Sequence, residues 1–147
     1  MSPALARLPG AALVLLAAGC ASAQAAGPGI AATAFVGCHH VVLTRPQPER
    51  TVEFFVQLAT QPSIEAPGTF VVRENRSSGF ARLFRRARWS SDRSRVLTLV
   101  LSDGAEAWTA TLRGAPGKLR GSASYSGDEG ATGRQWRALA TRYACRR

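Results

Sequence analysis

The sequence predicts an all-β fold, a single antiparallel up-and-down barrel of about eight strands. Three observations carry that expectation. From Ala34 onward apolar and polar residues alternate with period two over segment after segment, as strands with one buried face require. Gly, Pro and Asp-Gly turn signals separate these segments at regular spacing. Two cysteines, Cys38 and Cys145, lie near the two ends of the β-rich region, and a bridge between them would bring the first and last strands together.

The elements follow in order. Residues 1–23 read as an export signal: Arg7 is its one charge, residues 11–18 form an apolar run, and small residues follow. Two processing routes stay open. Leu16-Ala17-Ala18-Gly19-Cys20 has the form of a lipobox, which makes Cys20 a lipidation candidate, and Ala21-Ser22-Ala23 is an A-x-A site for ordinary cleavage after Ala23. Residues 24–33, rich in Ala and Gly, read as a flexible leader, and residues 34–147 as the barrel domain.

Within that domain, residues 35–44 form the first expected strand and Arg45-Pro46-Gln47-Pro48 its turn. In residues 51–58, Val52, Phe54, Val56 and Leu58 share one face; Phe55 breaks the alternation. Two prolines in residues 61–68 precede a strand at 69–74. Residues 80–89 and 135–143 fit either a strand or a helix, the first through Phe80, Leu83, Phe84 and Ala87, the second through Trp136, Leu139, Ala140 and Tyr143. Strands are the expectation for both, with a short helix across one barrel mouth as the alternative for the second. Leu97, Leu99 and Leu101 face one way in residues 95–101, and Trp108, Ala110 and Leu112 do so in 108–113. Between them Asp103-Gly104 suits a type I′ turn, in which both central residues take positive φ. Gly114-Ala115-Pro116-Gly117 turns the chain into residues 118–125, where Leu119, Gly121, Ala123 and Tyr125 share a face, and a Gly-rich loop at 127–133 follows.

Processing of the signal settles the cysteine count. Cys20 is lipidated or removed, which leaves Cys38 and Cys145 as an even pair in an oxidising compartment, the setting for a disulfide. The remaining chain of about 120 residues is one domain in size. Net charge is +10, and only one of the 19 basic residues, Lys118, is lysine. That skew toward Arg accompanies abundant Ala and Gly, as in GC-rich coding sequence, and the charge itself attracts anionic surfaces.

Motifs for catalysis are weak. His39 and His40 are adjacent on a strand, so their side chains point to opposite faces and cannot chelate one ion. No G-x-S-x-G frames Ser122, Ser124 or Ser126, and the spacing of a calcium loop is missing around Asp128-Glu129. The most suggestive constellation is Arg82, Arg85, Arg86, Arg88, Arg93 and Arg95, interleaved with Phe84 and Trp89, an anion-binding candidate.

Phe35-Val36-Gly37-Cys38, Arg88-Trp89-Ser90, Leu119-Arg120-Gly121-Ser122-Ala123 and Ala144-Cys145 together resemble a pattern of small uncharacterised exported bacterial proteins. A looser similarity links Gly37-Cys38-His39 to the Gly-x-Trp of lipocalin-like barrels, with His39 at the Trp position. The resemblance implies a barrel fold and an exported location, periplasmic, lipid-anchored at the outer membrane or secreted, and no activity. The resulting expectation is a non-enzymatic envelope protein without metal or cofactor. Its barrel would bind a small apolar ligand, with Gly121, Ala123 and Ala110 leaving interior room. The alternative is binding of an anionic envelope polymer or lipid through the Arg82–Arg95 face. Membrane attachment is expected only through a lipidated Cys20, and no specific nucleic acid is expected.

Overall fold

The structure is a computed structural model that describes residues 30–46, 48–127 and 135–146. The expected export signal, Cys20, the first part of the leader and all but Gly127 of the loop at 127–133 lie outside the described residues. Eight antiparallel strands pair in sequence order and close, the last onto the first. They are β1 (Gly37–Pro46), β2 (Glu49–Pro62), β3 (Phe70–Arg76), β4 (Arg88–Ser91), β5 (Leu97–Ser102), β6 (Ala107–Ala115), β7 (Lys118–Ser126) and β8 (Trp136–Tyr143). The up-and-down barrel predicted from alternation is the fold observed.

Closure joins β1 to β8 from Cys38↔Tyr143 to Thr44↔Arg137. Cys38 and Cys145 form a disulfide, Cα atoms 5.3 Å apart across a sequence separation of 107 residues. The pairing follows from the topology, since in an up-and-down barrel the first and last strands are neighbours. Inward positions hold the core: Val41 and Leu43 of β1, Phe54, Val56 and Leu58 of β2, Trp89 of β4, Leu99 of β5, Leu112 of β6 and Leu119 of β7 are all buried. The outer face carries Ser, Thr, Arg and Lys on β6 and β7, the reverse of the apolar outer band of a membrane-spanning barrel. Among the described residues no helix is long and apolar enough to cross a membrane.

Phe55, which breaks the sequence alternation, faces out. It stacks on His40 with ring centroids 4.6 Å apart and meets Tyr143 edge-on, while the Arg76 guanidinium lies over both Phe55 and Tyr143. His39 and His40 point to opposite faces: His39 is buried inside, and His40 Nε2 sits 2.9 Å from Glu53 Oε2 outside.

Three expectations need correction, and one open alternative is decided. Residues 80–89 are not one strand. Ala81–Phe84 is a 3₁₀ turn (η1) that buries Leu83, and β4 begins only at Arg88. The helical spacing of Phe80, Leu83, Phe84 and Ala87 was the correct signal for the first half. Residues 135–143 are a strand, with β8 covering Trp136–Tyr143, so the helix alternative for that segment does not hold. The β5–β6 turn is not type I′: Gly104 has φ 103°, but Asp103 does not have positive φ. Instead the Asp103 carboxylate accepts the backbone N–H of Ala105 and of Glu106, and that side-chain bracket replaces the backbone turn. Lastly, the end of the expected leader is structured. Ile30–Thr33 forms a helical turn (α1), and Ala32 and Phe35 are buried in the core.

The two barrel ends differ. The closed end gathers α1, Phe35, the start of β1 and the disulfide. The open end gathers the ends of β1, β3, β5 and β7 and the starts of β2, β4, β6 and β8. There the wall is loosened, because β3 and β4 pair only at Phe70↔Trp89 and Val71↔Arg88. That short seam, extended by one bond from Val72 N–H to Ala87 O, lets residues 77–85 leave the wall and fold Phe80 against Phe54, ring centroids 5.3 Å apart.

Candidate functional site

On β1 and β2 the inward ladder pairs Val41 with Phe54 and Leu43 with Val52. One step further toward the open end it pairs Arg45 with Arg50. Two guanidiniums directly across a strand pair repel, and Arg50, at the rim of the barrel, is exposed. Arg45 is half-buried: its Nε donates to Pro48 O at 3.4 Å and its guanidinium lies over the Trp136 ring, 5.4 Å from the centroid. Arg50 has no side-chain partner among the described residues.

These arginines rim a pocket of about 350 Å³ at the open end. Its wall is aromatic. Trp108 stands edge-on to Trp136 at 4.8 Å and tilts against Tyr125 at 5.0 Å; Phe54 joins Trp108 to Phe80. Each ring arrives from a different strand or connection, on an inward position of β2, β6, β7 and β8 or on the segment freed by the short seam. The far side carries an acid–base bracket. Arg82 Nη2 donates to Glu106 Oε2 at 2.7 Å, and Arg82 Nε lies 3.7 Å from Asp103 Oδ2. The backbone N–H groups of Glu106 and Ala105, then the Arg82 charge, hold the Asp103 carboxyl below its ordinary value. Glu106 and Asp103 therefore compensate Arg82, while Arg45 and Arg50 have no carboxylate partner among the described residues. The arrangement can hold a flat apolar body against rings and an anionic group against two guanidiniums.

The six arginines singled out in the sequence are not gathered into one site. Arg82 belongs to the open-end pocket. Arg86 Nε reaches to 3.9 Å from Glu65 Oε2, and Arg85 is exposed on the same connection. Arg88 lies on β4 beside the inward Trp89, while Arg93 and Arg95 occupy the β4–β5 turn, at the opposite end of the barrel from Arg82. Of the small residues expected to leave interior room, Ala110 and Ala123 are buried in the core. Ala123 lies opposite Trp136, and at Gly121 β6 runs so close that an added Cβ would meet the Thr111 carbonyl.

Sequence reasoning missed Arg45 and Arg50. The signal was present: Arg45 continues the parity of Val41 and Leu43, and Arg50 that of Val52 and Phe54. Charged residues on the inward parity of alternating strands mark where a barrel stops being filled. Among the described residues no group of His, Cys, Asp and Glu could hold a metal ion. The chain matches no family, no curated protein and no solved structure.

Proposed function

We propose that this chain is an exported, non-enzymatic binding module of the cell envelope whose open end takes a small, flat, apolar ligand carrying an anionic group. One observation carries the reading: the Arg45–Arg50 pair, on the inward parity of β1 and β2 and without a carboxylate partner among the described residues, lines the same pocket as the Trp108, Trp136, Tyr125 and Phe80 rings. The pocket volume is within the range of small-molecule sites, at its lower end. The interior ligand expected from the sequence thereby moves to the mouth and gains a charge. The disulfide supports export, since such bonds persist in oxidising compartments.

Titration with anilinonaphthalene sulfonate tests it, with phenylnaphthylamine as the uncharged analogue. The expected result is energy transfer from Trp108 and Trp136 to the sulfonate probe, and affinity weakened on the order of tenfold by Arg50→Ala. The uncharged analogue binds the wild type about as weakly as the sulfonate binds that variant. Equal affinity for both probes, unchanged by Arg50→Ala and Arg45→Ala, would overturn the reading.

A further inference from the structure

Charge on the outer wall is distributed unevenly. Strands β6, β7 and β8 carry Arg113, Lys118, Arg120, Arg137 and Arg142 and not one carboxylate. Arg142 is occupied, since its Nη2 donates to Val36 O. The other four are exposed and have no hydrogen bond or ion pair among the described residues. Register brings them together. Arg113 and Arg120 lie directly across from each other, Arg120 also faces Leu139, and Arg137 stands two residues from Leu139 on β8. Lys118 shares the outward parity of Arg120 on β7. Direct cross-strand neighbours are about 5 Å apart and diagonal ones about 7–8 Å, so the cations repel at short range.

The outward carboxylates nearby lie two strands away on β2: Glu53, opposite Val42 and held by His40, and Glu49, opposite Pro46 at the strand's start. Between the cations runs a groove with Val42 and Leu139, both half-buried, on its floor. No aromatic ring lines it, so it lacks the stacking platforms of a single-strand nucleic-acid site. The four cations also form a compact patch across three strands, not a single file along which a linear polyanion would run.

We infer that this β6–β8 wall is a docking surface for an anionic phospholipid bilayer, with the four cations at the headgroup level and the apolar floor toward the interface. The inference is independent of the mouth pocket. It replaces the Arg82–Arg95 face as the chain's anionic contact, because those arginines are spread over both barrel ends and two of them are paired with carboxylates.

Co-sedimentation of the full, disulfide-bonded chain with vesicles of phosphatidylglycerol mixed with phosphatidylcholine tests it, against vesicles of phosphatidylcholine alone. Wild type is expected to prefer the anionic vesicles and to be released by added salt. Arg113→Ser/Arg120→Ser/Arg137→Ser is expected to bind them roughly a hundredfold more weakly, the effect of three cations leaving an anionic surface. The charge-matched Arg85→Ser/Arg93→Ser/Arg95→Ser is expected to lose less than about tenfold. Near-ultraviolet circular dichroism checks that each variant folds, and Arg120→Gln alone stands in if the triple variant does not. Equal losses in the two triple variants, no preference for anionic vesicles, or tighter binding to soluble polyphosphate than to vesicles would each overturn the proposal. Unchanged binding of anilinonaphthalene sulfonate by the wall variant separates this surface from the mouth.

Discussion

At the closed end the inward ladder of β1 finishes on His39, buried under Phe35 and tied to its carbonyl; at the open end the same ladder finishes on Arg45, facing Arg50. Six residues of one strand separate an apolar, plugged terminus from a charged, pocketed one. Around His39 the chain adds closure upon closure: α1, Phe35, the Arg142 bond to Val36 O and the disulfide. Around Arg45 it removes closure, by shortening the β3–β4 seam and by pairing like charges. Stability is thus concentrated away from the mouth pocket, which stands where local order is least favourable.

Changes at the closed end should cost stability and spare the mouth. The largest effect is expected from Cys38→Ser/Cys145→Ser. Opening a loop with a sequence separation of 107 should lower unfolding free energy by about 4–5 kcal/mol, read by denaturant titration, with probe affinity unchanged in the folded fraction. Phe35→Ala, which empties a position 1 % exposed, should cost about 3–5 kcal/mol in the same assay. If it instead weakens probe binding at no cost in stability, the assignment of the two ends is reversed.

A third expectation concerns pH. His39 Nε2–H donates to Phe35 O at 2.8 Å, and Nδ1 is buried with no partner. Burial chiefly, and the Arg142 charge, lower its pKa below 6.5 even against the favourable bond to Phe35. The unfolded chain therefore takes up this proton at a higher pH than the folded one, and stability should fall as pH drops below 6.5, levelling out beneath the folded pKa. Thermal melts of wild type and His39→Gln across that window check it; the variant should show a flatter profile. An equal slope in both would place the titrating group elsewhere.

The smallest effect belongs to the open end. Arg50→Ala removes a like-charge cross-strand neighbour, so stability should rise by a few tenths of a kcal/mol while probe affinity falls. A loss of stability on this substitution would mean that Arg50 has a structural partner and is not held for a ligand.

Much of this architecture was legible in the chain. Alternation in Val52–Leu58, Leu97–Leu101 and Lys118–Tyr125 marked the strands and their inner faces, and it also put His39 and His40 on opposite sides. Phe55 was visible as an exception without its reason, which lies in His40, Tyr143 and Arg76 from three other strands. The Arg82–Arg95 run looked like a cluster because its members are close in sequence. A turn at each end of β4 sends them to different ends of the barrel, whereas Arg113, Arg120 and Arg137, dispersed in sequence, meet across three strands.

Period-two alternation is local, so the chain alone set the strand class, the inward and outward parity and the spacing of turns. Closure, the β3–β4 gap, the aromatic wall and both arginine groups depend on register between strands far apart in sequence. Register is decided when all the inner faces are packed at once, and until then no pair of distant arginines has a distance.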